Sequence, residues 1–162
     1  MGANACQHIA VRVSDVERSA AFYLGAFEGR YLTLPFEVDG PQMEGLFGGH
    51  AGLRVKVTLL GFDDGVVELF QFLEPVRPTA PEDPTRSMLM HWGFQVDDVA
   101  TTLERVESLG GRTVQPMMEW GGATFVYCYD PDGNVFELQE TSVDDIVRRT
   151  LEMFPEATPP GS

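Results

Sequence analysis

The chain has 162 residues, a length that suits one compact domain or two small halves packed together. Its 25 acidic and 11 basic residues give a net charge of -14, which argues against nucleic acid or an anionic membrane as a partner, because both need a basic surface. The sequence has no apolar run of 18 residues, no signal-like N-terminus and only two cysteines, so we expect a cytoplasmic protein with free thiols.

The first half of the chain predicts the order β-α-β-β-β. Apolar and polar residues alternate from Ile9, as in a half-buried strand, and Ser14-Asp15 offers a helix cap. Asp63-Asp64-Gly65 is typical of a hairpin turn. The extra residues 35–50, which the second half lacks, form either a substrate-covering loop or an elaborated connection. The expected elements are strands over 9–13, 31–34, 53–61 and 66–73 and a helix over 16–27.

The second half repeats this order after a proline-rich stretch. Residues 74–88 hold four prolines, which favours a semi-extended linker between a first module (1–73) and a second (89–141). Asp97-Asp98 offers a helix cap, and Asp130-Pro-Asp-Gly133 predicts a tight turn. A C-terminal helix and tail take up 142–162. The expected elements are strands over 89–96, 113–117, 124–129 and 134–140 and helices over 99–109 and 143–154.

Short stretches of sequence are repeated between the two halves. The segment from His8 to Val16 is similar to that from His91 to Val99, and Gly65-Val-Val-Glu68-Leu is similar to Gly133-Asn-Val-Phe-Glu137-Leu. Each glutamate interrupts an apolar strand, where a buried charge needs a metal ion or a basic partner. A duplicated unit brings equivalent residues to a pseudo-twofold axis, so two His and two Glu meeting there predict a divalent-metal site.

These motifs resemble the vicinal oxygen chelate superfamily, which includes glyoxalase I, methylmalonyl-CoA epimerase, fosfomycin-resistance enzymes, bleomycin-binding proteins and extradiol dioxygenases. The most specific pieces are His91-x-x-Phe-x-Val-Asp-Asp and Tyr-Asp-Pro-Asp-Gly-Asn-Val-Phe-Glu137, and the resemblance covers residues 7–141. It implies an α+β fold in which two tandem β-α-β-β-β modules form a curved, cupped mixed sheet around a central metal cavity. It also implies a homodimer, with the metal site either within one chain or shared between two.

The resemblance assigns four metal ligands: His8, Glu68, His91 and Glu137. Imidazole and carboxylate ligands suit one divalent ion, which is Zn, Ni, Co, Mn or Fe. Such an ion withdraws charge from a substrate carbonyl, and a carboxylate beside it acts as ligand and base in turn. Glu137 and Glu68 are therefore the expected catalytic residues, one on each face of the substrate.

Strand alternation indicates which other side chains share the face of these ligands. Arg12 points with His8, and its position resembles that of an arginine that holds the glutathione carboxylate in glyoxalase I. The companion asparagine of that family is replaced by Phe72, which favours a less polar substrate. The expected substrate-contacting residues are Arg12, Gln95, Tyr127, Phe70 and Phe72.

Three classes of function remain open. A complete set of four ligands favours a metal-dependent lyase or isomerase that moves a proton next to a carbonyl. The resemblance implies that an extradiol-type dioxygenase binds its metal through a triad of two His and one Glu, so a fourth ligand, Glu68, counts against this class. Glu68 also counts against a fosfomycin-type transferase, for which a triad is implied too. An antibiotic-binding resistance protein usually lacks the ligands, so their presence counts against that class.

Overall fold

The computed structural model describes residues 8–76, 91–120 and 122–159. Most of the predicted linker lies outside these residues, so the module boundaries stay a prediction. In chain order the elements are β1 (Ile9–Arg12), α1 (Val16–Phe27), β2 (Arg30–Tyr31), β3 (Phe36–Val38), α2 (Pro41–Leu46), β4 (Arg54–Gly61), β5 (Val66–Glu74), β6 (Trp92–Gln95), α3 (Val99–Ser108), β7 (Arg112–Thr113), β8 (Met118–Trp120), β9 (Ala123–Tyr129), β10 (Val135–Gln139), α4 (Val143–Met153) and a 3-10 helix (Pro155–Ala157).

The strands form two five-stranded sheets with the same topology. The first sheet has the order β1-β5-β4-β2, with β3 also paired to β4, and the second has the order β6-β10-β9-β7, with β8 also paired to β9. In each sheet the first strand runs parallel to the last, and the remaining pairs are antiparallel. The predicted α+β class and the two tandem β-α-β-β-β modules are confirmed, and each sheet carries one short strand more than predicted.

Equivalent side chains cap the two long helices. Asp15 and Asp98 each accept a hydrogen bond from the backbone N–H three residues on, at 2.8 and 2.6 Å. The first N–H group of each helix donates to a side chain just beyond the glutamate of the last strand, Gln71 in one module and Glu140 in the other. The same local interactions therefore attach each helix to the strand that carries its candidate metal ligand.

One hydrophobic core joins the two modules. Phe27 of α1 stacks on Phe94 of β6 at 3.9 Å, and Phe22 meets Phe136 of β10 edge-on at 6.1 Å. Both helices thus lie between the two sheets, and the opposite faces of the sheets point away from each other. The buried residues of this core are Val11, Val13, Val16, Ala20, Phe22, Tyr23, Ala26, Leu60, Val67, Leu69, Trp92, Val99, Val106, Val126, Cys128, Phe136 and Leu138.

The turn between β9 and β10 is bonded to α1 of the other module. Asp130 accepts a hydrogen bond from the Tyr23 hydroxyl at 2.8 Å, and Asp132 accepts from Arg18 at 2.6 Å and from the Ser19 hydroxyl at 3.0 Å. Burial raises the pKa of Asp130. Burial acts to raise the pKa of Asp132 as well, but hydrogen bonds, foremost that from Arg18, outweigh it and lower that pKa. The turn is therefore fixed by charged and buried contacts.

Residues 35–50 fold over the outer face of the first sheet. They form β3 and α2, and Phe47 packs edge-on against Phe70 and Phe72 at 5.8 and 5.4 Å. Met43 of α2 is buried in a second hydrophobic cluster with residues of β4. The segment is predicted as a loop, and it instead forms a short strand and a short helix because Met43 and Phe47 pack against the sheet. Among the described residues, none of the helices combines the length and apolar character that a membrane span needs.

Candidate metal centre

The first candidate ligand pair is His8 with Glu68. His8 comes directly before β1 and Glu68 lies in the neighbouring β5, so their side chains meet on the outer face of the first sheet. The His8 Nε2 and Glu68 Oε2 atoms are 3.4 Å apart, with the side chains 39% and 19% exposed. Ala10 lies opposite Glu68 in the strand register, and its small side chain leaves the carboxylate accessible.

The second pair, His91 with Glu137, has the same geometry. Its Nε2 and Oε2 atoms are also 3.4 Å apart, with the side chains 32% and 16% exposed. Gly93 lies opposite Glu137 in the register, where a Cβ would come 3.8 Å from the carboxylate. The duplication in the sequence is therefore reproduced in the positions, spacing and exposure of both pairs.

Each pair has the donor chemistry and spacing of half a metal site. Two donor atoms about 2.1 Å from a tetrahedral ion lie about 3.4 Å apart, which matches both Nε2–Oε2 distances. Neutral imidazole and carboxylate together suit the borderline divalent metals. The side chains present therefore fit a divalent ion.

The fold keeps the two pairs apart within one chain. They lie on the outer faces of two sheets whose inner faces share one core. Throughout residues 8–76, 91–120 and 122–159, no group of three or more His, Cys, Asp or Glu side chains is placed to hold a metal. The chain thus carries two candidate half-sites, and the side chains of both pairs are partly exposed.

The surroundings of the two pairs differ on the neighbouring strand. Tyr127 of β9 lies opposite Glu137, and its ring centre is 4.7 Å from that of His91, whereas Leu59 lies opposite Glu68. Burial raises the pKa of Glu137, and the nearby His91 opposes part of that rise. Burial, followed by the charge of Glu137, raises the pKa of Tyr127. The second pair is therefore the one with an adjacent aromatic hydroxyl.

The expected substrate residues divide between the two half-sites. Arg12 lies on the strand that follows His8, opposite Phe70 in the register, with its guanidinium carbon 5.2 Å from the centre of the Phe72 ring. Phe70 and Phe72 share that face but pack against Phe47 of the covering segment. Gln95 is exposed on β6 and, like Tyr127, lies on the side of the second pair.

A cavity beside the second pair was not expected from the sequence. It has a volume of about 220 Å³ and lies between the outer face of the second sheet and α4. The sequence predicts a helix over 143–154 but does not indicate what this helix covers. The residues that line this α4 cavity are Ala123, Phe125, Tyr127, Glu137, Gln139, Thr141, Ile146, Arg149, Thr150 and Met153.

Solved structures with a similar fold include a glyoxalase family protein, a fosfomycin resistance protein and a glyoxalase I. A glyoxalase family protein from Bacillus cereus is 16% identical, with a TM-score of 0.75 over 86% of this chain and 95% of that one. The fosfomycin resistance protein FosX from Listeria monocytogenes, in complex with Mn(II) and sulfate, is 19% identical, with a TM-score of 0.61 over 90% and 99%. A glyoxalase I mutant from Zea mays is 23% identical, with a TM-score of 0.61 over 83% and 44%. At these identities the likeness shows the fold.

One curated relative is similar over a shorter stretch. Biphenyl-2,3-diol 1,2-dioxygenase 2 from Rhodococcus globerulus is 36% identical over 66 residues, which is 38% of this chain and 35% of the dioxygenase. The matched stretch thus spans about a third of that enzyme's length. The family model described as the Glyoxalase/Bleomycin resistance protein/Dioxygenase superfamily matches residues 5–138. The chain therefore belongs to the glyoxalase, bleomycin resistance protein and dioxygenase superfamily.

Proposed function

We propose that this protein is a metal-dependent enzyme that catalyses proton transfer next to a carbonyl, as a lyase or isomerase of the glyoxalase type. The observation that carries the proposal is the presence of two equivalent His–Glu pairs, each with Nε2 and Oε2 3.4 Å apart. All four positions of a metal site are filled by side chains that bind divalent ions. Antibiotic-binding proteins of the bleomycin-resistance type usually lack these ligands, so their presence favours an enzyme.

The complete site in this proposal is shared between two copies of the chain. The first pair of one protomer and the second pair of another hold one ion, and the symmetry-related pairs hold a second ion. Bringing both pairs of one chain together instead requires separating the core that Phe27 and Phe94 help to form. Since burial of such aromatic side chains dominates core stability, assembly between chains is the less costly arrangement.

A divalent ion bound by these residues would act as a Lewis acid and withdraw charge from the substrate carbonyl. Glu137 takes the proton from the adjacent carbon and returns it to a neighbouring atom, which completes an isomerisation or expels a leaving group. Its strand follows the turn that Asp130 and Asp132 anchor to α1, so the carboxylate is held in place. Gly93 leaves the space beside this carboxylate free for substrate.

The dioxygenase reaction is the second candidate, because the curated relative that matches over 66 residues is a dioxygenase. Reconstituted protein should be screened with hemithioacetals, acyl-CoA epimers and catechols, and its metal content measured. We expect about one divalent ion per chain and incorporation of solvent deuterium at the substrate carbon. Turnover of a catechol with oxygen uptake and without such exchange would establish the dioxygenase alternative. A metal content near zero after reconstitution would reject both reactions.

A further inference from the structure

The lining of the α4 cavity includes a charged side chain that the proposed reaction does not use. Glu137 at one end belongs to the second pair, and Arg149 of α4 supplies a guanidinium to the same lining. We infer that this cavity is a substrate subsite in which Arg149 recognises an anionic group, a carboxylate, phosphonate or phosphate, on a small apolar molecule. The inference rests on the proposed function for the adjacent reaction centre.

Helix α4 is built so that its two arginines have different surroundings. Ser142 caps the helix by accepting a hydrogen bond from the Asp145 N–H at 3.2 Å. Arg148 pairs with Asp145 at 3.0 Å and with Glu152 at 2.9 Å on the exposed side. Arg149, one residue later, lies on the side that faces the cavity. Arg148 is therefore held in exposed ion pairs, whereas Arg149 is one of the residues that line the cavity and its charge also acts on Asp145.

The turn between β8 and β9 leaves a place for the Arg149 side chain. Gly122 has a φ of +75°, and a Cβ at this position would come 2.6 Å from Arg149 Nη1. Glycine is therefore suited to this position both by its backbone conformation and by the close approach of the guanidinium. The guanidinium of Arg149 therefore lies close to the backbone at Gly122.

The rest of the lining indicates the size and character of the ligand. Phe125, Ile146 and Met153 present apolar surface, while Gln139 adds a side-chain amide. The volume of about 220 Å³ is below the roughly 300–1,000 Å³ of pockets for drug-sized ligands. A guanidinium binds carboxylate and phosphonate oxygens with paired hydrogen bonds. A small aromatic or aliphatic acid matches this combination.

The test compares three probes of similar shape: phenylphosphonate, phenylacetate and neutral phenylacetamide. Their dissociation constants should be measured with metal-loaded and metal-stripped protein by calorimetry or NMR titration. We expect wild-type protein to bind both anions more tightly than the amide, and Arg149→Gln to reduce that preference about tenfold. Arg148→Gln removes the same charge from the exposed side of α4 and should leave the preference unchanged. Arg149→Lys should restore part of it.

A change without any loss of charge provides a second test. Gly122→Ala crowds the guanidinium and should also weaken anion binding, while circular dichroism monitors α4. No anion preference in the wild type, or equal effects of Arg149→Gln and Arg148→Gln, would overturn the inference. Anion binding that requires the metal would overturn it too, since the anion would then be a metal ligand. If the protein binds no metal but still prefers anions in a way that depends on Arg149, the proposed function is rejected and this inference stands.

Discussion

The two glutamates hold equivalent positions but have different neighbours. Glu68 lies opposite Ala10 on one side and Leu59 on the other, whereas Glu137 lies between Gly93 and Tyr127. In a symmetric site both carboxylates would be equally suited to move a proton. The open space at Gly93 and the hydroxyl of Tyr127 favour Glu137, because substrate can approach it and a polar neighbour can orient it.

Glu137→Gln should reduce turnover on the order of 10² to 10⁴-fold, as expected for removal of a positioned general base. Much of the metal should remain, because an amide oxygen still coordinates. His91→Ala should cost more metal affinity than either Glu→Gln substitution. Steady-state kinetics and metal analysis of Glu137→Gln, Glu68→Gln and His91→Ala separate these effects. Unchanged turnover in Glu137→Gln would assign the base elsewhere.

The β9–β10 turn connects the two modules and precedes the strand that carries Glu137. Its two aspartates accept buried hydrogen bonds from the Ser19 and Tyr23 hydroxyls of α1, and Asn134 donates to the Arg12 carbonyl at 3.1 Å. The turn thus contributes to stability and to the position of the second pair at the same time. The contribution of the turn to stability depends on the charge of Asp132, because a carboxylate accepts its strongest hydrogen bonds when it is ionised.

Asp132→Asn should lower the free energy of unfolding by about 2 kcal/mol at neutral pH, since it weakens charge-assisted hydrogen bonds of a buried group. The pKa of Asp132 is lowered on folding, so its stabilising effect is present above the ordinary aspartate pKa and is lost as the pH falls through the folded-state value. Urea unfolding between pH 7 and pH 3 checks this. A stability difference that does not shrink toward low pH would contradict the assignment.

The helices and the repeat could be predicted because their signals are local. Asp15 and Asp98 cap helices where the sequence predicts caps, and the repeated segments that contain His and Glu predict both pairs. Strand β3 and helix α2 could not be predicted, because both are short and α2 depends on the burial of Met43 against β4. The separation of the two His–Glu pairs could not be predicted either, since the periodicity of a strand shows which of its faces is apolar but not which element covers that face.

For the whole molecule, the outward position of both pairs makes a second chain part of the proposed site. A His8→Ala chain lacks only the first pair, and a His91→Ala chain lacks only the second. In a mixed dimer of the two, one site loses both pairs while the other keeps both intact. Activity should therefore depend on which chains associate, a property that a site within one chain does not have.

Co-refolding equal amounts of the His8→Ala and His91→Ala chains should restore about a quarter of the wild-type metal content and activity, because half of randomly formed dimers are mixed and each holds one intact site. Each variant alone should show far less of both. Metal analysis, kinetics and light scattering follow the outcome. No restoration, with dimers present and exchanged, would place the complete site within a single chain.

The bonds between the β9–β10 turn and α1 also make the two halves non-interchangeable. The residues of α3 at the positions of Arg18, Ser19 and Tyr23 are Thr101, Thr102 and Val106, which lack the guanidinium and the phenol. A chain built from two second modules would place Asp130 against an aliphatic side chain, and the carboxylate would keep the hydrogen bonds of its own turn but lose the one from the Tyr23 hydroxyl. The β9–β10 turn therefore matches the polar side chains of α1 and not those of α3, so the second module fits the first better than it would fit its own copy.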